Sequence, residues 1–221
     1  IIDATKDIVC GYKLNPFAYP GPNGKLDMYD TLRNGMQLAP RVLWGIDAKC
    51  GDVENSNAGY AEELFDDYRA DAITAHGYLG GMALQPFLAR NNKLTFVLCR
   101  TTNPGAREFQ DVTDAMGEKL FHRVARSVSN DWSTNGNCGL VVGATYPDEM
   151  AEVREIAPEV PILSPGAGTQ GGDIPGTFRA SQGRILISNS RSIIFASSGM
   201  DFAEAARQET LKLHETILAS L

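Results

Sequence analysis

Three charged residues stand together where a predicted buried strand ends. Asp47, Lys49 and Asp52 lie in "DAKCGDVENS", directly after the apolar run "RVLWGI". Side chains alternate along a strand, so Asp47 and Lys49 are predicted to share one face, while Asp52 lies past the strand end. Lys13 ends an earlier predicted strand and could reach the same place. Two lysines and two aspartates so arranged would hold one another ionised in a partly dry site.

An ordinary ion pair is the alternative interpretation of this cluster. An aspartate and a lysine two residues apart often form a surface pair of little consequence. The setting favours a functional site, because charges at the end of a strand that is apolar on both faces are costly to desolvate. Cys50 lies among the charges, but no histidine falls at a position to activate it as a nucleophile. We therefore interpret Lys13, Asp47, Lys49 and Asp52 as a candidate catalytic array.

A glycine-rich segment later in the chain predicts an anion site. The segment "ILSPGAGTQGGD" (162–173) follows a predicted strand and contains four glycines. Glycines let backbone N–H groups approach an anion closely, and Arg191, after the next predicted strand, offers a bidentate partner. A plain connecting turn is the alternative, because glycine loops alone are weak signals. The nearby arginine favours a phosphate site.

The elements that would position these residues alternate between strand and helix. Seven short apolar runs are predicted as strands, at residues 8–14, 41–47, 71–76, 94–99, 139–144, 160–164 and 184–188. Such strands between amphipathic helices predict a helix-covered parallel sheet, either open and doubly wound or closed as a barrel. A (β/α)8 barrel is favoured, because polar residues follow the strands, where the catalytic face of such a barrel lies. They are Lys13, Asp47, His76, Arg100, Thr101, Thr102, Ser164 and Arg191.

Three amphipathic patterns predict helices between these strands. In residues 59–69, one apolar stripe is formed by positions 60, 61, 64, 65 and 68. A second stripe consists of Met116, Leu120, Val124 and Val128. Residues 145–158 have Pro147 near the predicted first turn, with acidic residues after it, as is typical of a helix start.

Composition limits the class of protein. With 221 residues, of which 43% are hydrophobic, we expect a single barrel domain over residues 1–221. The formal net charge of −7 argues against nucleic acid or an anionic membrane as a partner. Four scattered cysteines without a Cys-x-x-Cys pair indicate reduced thiols in the cytoplasm, not a zinc site or a disulfide framework. No apolar run approaches the length of a membrane span, and the first residues do not have the pattern of an export signal.

Four segments resemble the signature segments of the orotidine 5′-phosphate decarboxylase family, especially its longer bacterial and protozoal type. They are "DAKCGDVENS", "RTTNPGAREFQ", "VVGATYPDEM" and "ILSPGAGTQGGD". The resemblance extends over roughly residues 2–194, with the segments in the family's order. The Asp-x-Lys-x-x-Asp element alone also occurs in sugar-phosphate relatives of the same barrel, whereas its combination with "TTNPG" and "PGAGTQGGD" is specific. The resemblance implies a (β/α)8 barrel and an enzyme that needs no cofactor and no metal.

The resemblance also implies a role for each matching residue. Asp47 would disfavour the substrate carboxylate electrostatically, Lys49 would deliver a proton to carbon 6 of the pyrimidine, and Lys13 would orient Asp47. Asp52 and Ser56 would reach across a homodimer interface into the neighbouring site. The other substrate-binding residues would be Asn15 at the ribose, Thr102 at the pyrimidine edge, Pro165 in the pocket, and Gln170, Ser190 and Arg191 at the phosphate.

The chain departs from the family pattern at its beginning. The family starts with a strand whose aspartate supports the catalytic lysine, whereas "IIDATKDIV" resembles the tail of the helix after that strand. We therefore expect seven strands here and an N-terminally incomplete barrel; a fragment of a longer chain, or a divergent member that closes its barrel otherwise, would account for this. Smaller departures are Cys50 in place of a basic residue, Ser56 for threonine, Thr169 for alanine and Ser190 for glycine.

Three functions remain as hypotheses. The first is the decarboxylation of orotidine 5′-phosphate to uridine monophosphate (UMP) in pyrimidine biosynthesis. The second is a magnesium-dependent sugar-phosphate decarboxylase or aldolase of the same superfamily, and the third is a non-catalytic nucleotide-binding protein that kept the pocket. The first accounts for both motifs, because phosphate binding can position the ring while an ammonium group stabilises the carbanion.

Overall fold

Seven parallel strands form the sheet of the computed structural model, which describes residues 1–19, 21–166 and 172–221. The strands are β1 Gly11–Leu14, β2 Leu43–Cys50, β3 Ala72–Ala75, β4 Leu94–Arg100, β5 Cys138–Val142, β6 Ile162–Pro165 and β7 Ile185–Ser188. Their order in space follows their order in the chain. All seven predicted strands are confirmed, with ends displaced by a few residues.

Helices follow the strands and cover the outside of the sheet. They are α1 Ile2–Thr5, α2 Gly24–Leu38, α3 Glu54–Ala61, α4 Gly81–Leu88, α5 Arg107–Gln110, α6 Leu120–Ser127, α7 Pro147–Ile156, α8 Ile174–Ala180, α9 Arg191–Ile194 and α10 Phe202–Leu218. Within the described ranges, no helix is both long enough and apolar enough to cross a membrane. The fold is a nearly closed (β/α) barrel, which confirms the predicted fold class.

The two outer strands of the sheet are β1 and β7, and the described residues contain no eighth strand between them. The helical layer connects the two ends of the chain instead. Helix α10 packs against α1, and Arg207 donates to both carboxylate oxygens of Asp7, at 2.6 and 2.8 Å. Arg207 also donates to the carbonyl oxygen of Ala4 at 2.6 Å.

Two apolar layers hold the strands in place. The larger layer lies between the sheet and the helices and includes Trp44, Phe65, Phe87, Phe121 and Leu140. The smaller layer lies inside the barrel and consists of Ala72, Phe96, Val141 and Leu163. Every residue of β3 and β5 is buried, as expected for strands covered on both faces. At the carboxyl ends of the strands, the inward side chains become polar, and these ends carry the site.

The helical patterns are confirmed with two corrections. Pro147 is the first residue of α7, as predicted. Tyr60 is 40% exposed instead of lying on the buried stripe, and the helix changes its period there by continuing into a π-helical turn at Glu62–Asp67. Met116 is 93% exposed, because Gly117 turns the chain with a φ of 83° before α6 begins. The buried part of that predicted stripe therefore excludes Met116 and also Leu120, which is 38% exposed.

Candidate active site

A large cavity opens at the carboxyl ends of the strands. Its volume is about 860 Å³, within the range of pockets that hold small organic ligands. The predicted site residues that line it are Lys13, Asp47, Lys49, Thr102, Pro165, Ser190 and Arg191. Three residues of the charged cluster and the described residues of the predicted phosphate site therefore face one pocket.

Asp47 is the centre of the charged cluster. Its Oδ2 accepts a hydrogen bond from Lys13 Nζ at 2.8 Å, and its Oδ1 lies 2.8 Å from Lys49 Nζ. Thr74 donates to the same Oδ1 at 2.8 Å. Burial alone would raise the pKa of Asp47, but the charge of Lys13 and the hydrogen bonds from Lys13, Lys49 and Thr74 outweigh it and lower the pKa to about 2. The carboxylate is therefore ionised at neutral pH.

The backbone at the end of β2 is irregular. The pairing of β2 with β3 shifts register between Ile46 and Cys50, and Lys49 has a φ of 49°. Positive φ is uncommon for a residue other than glycine. The N–H of Lys49 donates to Thr74 Oγ1 at 3.0 Å. Asp47 and Lys49 do lie together, but the regular strand alternation from which we predicted this does not extend to Lys49.

Asp52 and Ser56 are not among the described residues that line the cavity. Asp52 accepts the N–H of Val53 at its own Oδ1, at 2.7 Å. The buried side chain of Asn57 fixes the backbone of Asp52, because it accepts the Asp52 N–H at 3.1 Å and donates to the Asp52 carbonyl at 2.7 Å. Within one chain, three of the four predicted array residues are therefore brought together.

Asn15 follows Lys13 closely in sequence, but its side chain has a local partner. Its Oδ1 accepts the N–H of Phe17 at 2.9 Å and begins a short 3-10 turn at Pro16–Ala18. The cavity lining in the described residues does not include Asn15. Its predicted ribose contact stays a prediction.

Arg100 does not face the cavity, although it follows the sequence pattern of the other polar residues at strand ends. The pairing of β4 with β5 shifts register between Leu98 and Arg100, and such a shift turns a side chain to the other face. The guanidinium is 2% exposed and donates to both carboxylate oxygens of Glu149, at 2.7 and 2.9 Å. The hydrogen bonds to Glu149 raise the pKa of Arg100, and their effect is larger than that of burial, which lowers it. Arg100 therefore has a structural role, because it connects the end of β4 to Glu149 of α7 on the helix side of the sheet.

Two neighbouring residues fix the position of the segment after β4, which lines the cavity. Gln110 accepts the N–H of Thr101 at 2.9 Å and donates to its hydroxyl at 2.8 Å. Gly143 gives Thr102 room, because a Cβ at Gly143 would lie 2.1 Å from Thr102 Cγ2. Thr101 and Thr102 both line the cavity. Ser164, also predicted at this rim, is fully buried and is not part of the described lining.

The predicted phosphate loop is described in part, and Thr169 and Gln170 lie outside the described residues. The carbonyl of Gly166, whose φ is 95°, accepts the N–H of Gly172 at 3.3 Å. A Cβ on Gly172 would lie 2.7 Å from that carbonyl oxygen, so only glycine fits there. Arg191 is exposed and is the first residue of α9.

Among the lining residues that were not predicted as members of the site, Thr74 and His76 lie near the charged cluster. Thr74 interrupts the apolar run of β3 with a hydroxyl beside the charged end of β2, and this signal could have identified it. His76, which the sequence placed at the end of the same strand without a role in the site, also lines the cavity. Burial, and then the charge of Lys49, lowers the pKa of His76, so its imidazole is neutral at physiological pH.

Cys50 remains outside the chemistry of the site. Burial, and then the charge of Glu63, raises the pKa of its thiol to about 11, so the thiol stays protonated and is a poor nucleophile. In the described part of the chain, no group of three or more His, Cys, Asp and Glu side chains is placed to hold a metal ion.

This fold and site define a (β/α)-barrel enzyme class with its chemistry at the carboxyl ends of the strands. The model of the "Orotidine 5'-phosphate decarboxylase / HUMPS family" matches residues 42–212. The orotidine 5′-phosphate decarboxylase of Azoarcus sp. (strain BH72) is 44% identical over 99% of this chain and 82% of that protein. The orotidine 5′-phosphate decarboxylase of Herpetosiphon aurantiacus is 45% identical over 94% of this chain and 78% of that protein.

A solved structure agrees with the sequence relatives. The OMP decarboxylase of Leishmania donovani matches with a TM-score of 0.82 and 31% sequence identity, over 98% of this chain and 84% of that chain. The chain therefore belongs to the orotidine 5′-phosphate decarboxylase / HUMPS family, and the resemblance seen in the sequence is confirmed.

Proposed function

We propose that this chain decarboxylates orotidine 5′-phosphate to UMP in pyrimidine biosynthesis, without a cofactor. The observation that carries the proposal is the Lys13, Asp47 and Lys49 cluster, held together by two contacts of 2.8 Å at the mouth of the cavity. Family membership supports the same reaction. The chemistry needs a fixed cation beside a carbon atom that becomes negatively charged, and this cluster supplies one.

In the proposed reaction, the bond between carbon 6 of the pyrimidine and its carboxylate breaks. Carbon dioxide leaves, and the electron pair stays on carbon 6. Lys49 stabilises this charge with its ammonium group and then transfers a proton from Nζ to carbon 6, which gives UMP. Solvent returns a proton to Lys49, whose side chain is 45% exposed. The ammonium group is already in place, so little reorganisation is needed as charge develops.

Asp47 has a different proposed role. Its ionised carboxylate would lie near the carboxylate of the bound substrate and repel it, whereas carbon dioxide is neutral. Repulsion that disappears on the way to the transition state lowers the barrier. Lys13 holds Asp47 in the orientation that this role requires, through the bond of 2.8 Å to Oδ2.

The phosphate end of the cavity would provide binding energy away from the reacting carbon. Pro165, Ser190 and Arg191 line the same cavity as Lys49, and we assign the phosphate to them together with Gln170. Thr102 would contact the edge of the pyrimidine ring. Binding energy from the remote phosphate can then be used to position the ring against Lys49.

We also propose that the active form is a homodimer in which each chain supplies Asp52 and Ser56 to the site of the other chain. Exposed apolar side chains support a second copy as the partner. Val53, Tyr78 and Phe109 are 57%, 89% and 68% exposed, and they follow the adjacent strands β2, β3 and β4. Large exposed apolar groups on one side of a rim are typical of an interface. The four free cysteines support the cytoplasm as the compartment.

The test is a spectrophotometric assay of orotidine 5′-phosphate with the purified protein, with and without EDTA. Turnover that is unchanged by the chelator is the expected result. Turnover that requires added magnesium would instead favour the sugar-phosphate branch of the superfamily. If calorimetry shows that UMP binds but no decarboxylation is detected, the protein is a non-catalytic nucleotide-binding homologue.

A further inference from the structure

Thr74 connects the two residues of the cluster to which we assign the chemistry. It is the third residue of β3, and it is 2% exposed. Its hydroxyl donates to Asp47 Oδ1 at 2.8 Å and accepts the backbone N–H of Lys49 at 3.0 Å. A hydroxyl has one proton, so its donation to Asp47 leaves the lone pairs for Lys49. Both contacts therefore act through one fixed orientation of the hydroxyl.

The contact with Lys49 replaces a missing strand bond. Between Ile46 and Cys50 the pairing of β2 with β3 changes register, so Lys49 lies in the unpaired part. Its φ of 49° places it in the left-handed region, which a lysine rarely adopts. Such a conformation persists only where its surroundings determine it. The hydroxyl of Thr74 is the group that holds the Lys49 N–H in this conformation.

The contact with Asp47 fixes the carboxylate. Oδ1 accepts the hydroxyl of Thr74 and contacts Lys49 Nζ, whereas Oδ2 contacts Lys13 Nζ. With the hydroxyl present, the two oxygens are distinct, and each faces one lysine. Without it, Oδ1 keeps Lys49 Nζ but loses the neutral hydroxyl that fixes its position, so the orientation of the carboxylate relative to the Lys49 ammonium is less restricted.

We propose that Thr74 is a positioning residue that sets the backbone of Lys49 and the orientation of Asp47 for decarboxylation. This proposal rests on the proposed function. The hydroxyl is committed to Asp47 and Lys49, and the phosphate and ring contacts come from other strands. Loss of the hydroxyl should therefore lower kcat and leave KM for orotidine 5′-phosphate nearly unchanged.

The first experiment compares Thr74→Val, which keeps the shape but removes the hydroxyl, with Thr74→Ser, which keeps the hydroxyl. Thr74→Val should lower kcat by about 10- to 100-fold, the size of effect expected from misplacing a catalytic group by a fraction of an ångström to an ångström. Thr74→Ser should stay within about threefold of the wild type in kcat, and both variants within about threefold in KM.

Thr95→Val is the matched control. Thr95 lies opposite Ile73 on the neighbouring strand β4, is fully buried, and has a hydroxyl for which the described residues supply no partner. Its removal should leave kcat unchanged. A fall in kcat with Thr95→Val equal to that with Thr74→Val would overturn the proposal, because any buried threonine would then have the same effect.

The second experiment measures hydrogen exchange of the Lys49 amide by NMR and needs no turnover. The amide should exchange faster in Thr74→Val than in the wild type and Thr74→Ser, while the amide of Ile46 is unchanged. Unchanged exchange at Lys49, or wild-type kcat in Thr74→Val, overturns the proposal. If Thr74→Val does not fold, Thr74→Ala against Thr74→Ser makes the same comparison. A wild-type protein without turnover refutes the proposed function, whereas the exchange experiment still decides the role of Thr74.

Discussion

Lys49 Nζ lies 2.8 Å from Asp47 Oδ1, although the two residues are separated along β2 by Ala48. On a regular strand, residues two apart are displaced by about 6.6 Å, so the lysine must fold back toward the aspartate. The side chain of Asp47 is 13% exposed and that of Lys49 is 45% exposed. Asp47 is therefore the more buried member of the pair, and the side chains of both residues line the cavity.

Replacement of Lys49 tests the proposed proton donor. Lys49→Ala should lower kcat for orotidine 5′-phosphate by at least about 10³-fold, because it removes both the proton and the fixed positive charge. The affinity for UMP should change much less, since the phosphate contacts are elsewhere in the cavity. Steady-state assays and calorimetry measure the two quantities. Lys93→Ala, just before β4 at the opposite end of the barrel, is the control and should have wild-type kcat.

A different result would reassign the chemistry. If Lys49→Ala retained more than about a tenth of the wild-type kcat, Lys49 could not be the proton donor, because general acid catalysis contributes at least about 10²-fold. Lys13, the other ammonium group at Asp47, would then be the next candidate.

Asp47 should link stability to pH. Its pKa is lowered from 3.8 to about 2 in the folded protein, so folding favours the ionised form. The contribution is present above the unfolded pKa of 3.8 and is lost as the pH falls toward the folded pKa of about 2. A pKa difference of one unit corresponds to about 1.4 kcal/mol, so Asp47 contributes roughly 2 kcal/mol to the free energy of unfolding at neutral pH.

Urea unfolding of the wild type and of Asp47→Asn from pH 6 to pH 3 measures this contribution. The variant should be less stable than the wild type at pH 6. The difference between their free energies of unfolding should narrow by about 1 kcal/mol or more by pH 3. A gap that stays constant would mean that Asp47 is not paired in solution. Asp67→Asn, at an exposed aspartate, should stay within about 0.5 kcal/mol of the wild type.

Arg191 should act through the phosphate of the nucleotide. Arg191→Ala is expected to weaken UMP binding by about 10- to 100-fold, the loss expected for a hydrogen-bonded charged group. Uridine, which has no phosphate, should bind the variant and the wild type equally. Calorimetry with both ligands separates the two cases, and Arg179→Ala, at an exposed arginine of α8, serves as the control. Equal losses for UMP and uridine would show that Arg191 shapes the pocket without contacting the phosphate.

The positions of the main chemical groups could be predicted from the sequence. Apolar runs and helical periodicity located the seven strands, and the rule that function lies at the carboxyl ends placed Lys13 and Asp47 in one cavity. Asp52, which the resemblance assigned to the site of the neighbouring chain, is held by Val53 and Asn57 outside the cluster of its own chain. A single sequence does not separate contacts within a chain from contacts between chains.

Register shifts explain what could not be predicted. A pattern with a period of two assumes a regular strand, whereas β2 and β4 are both irregular before they end. The shift in β4 turns Arg100 toward Glu149, and the shift in β2 gives Lys49 its positive φ. The hydroxyl in the apolar run of β3 could have indicated Thr74, but its two partners could not be predicted, because both bonds form where the regular pairing of β2 stops.

Mixed dimers test whether the sites are shared between chains. Lys49→Ala and Asp52→Ala should each be nearly inactive alone. If Asp52 serves the partner's site, a mixed dimer of the two variants has one site with both defects and one intact site. Random exchange of subunits then restores about a quarter of the wild-type sites. The measurement is kcat of an equimolar mixture after unfolding and refolding together.

The matched control for the mixed dimer pairs Lys49→Ala with Asp47→Asn. These two residues contact each other within one chain, at 2.8 Å, so every site of their mixed dimer carries one defect. That mixture should stay as inactive as its components. Recovery in the Asp52 mixture alone establishes a shared site, because only a residue that acts in trans can complement Lys49→Ala. If neither mixture recovers although Asp52→Ala is inactive, Asp52 acts on its own chain, and the proposed interface is wrong.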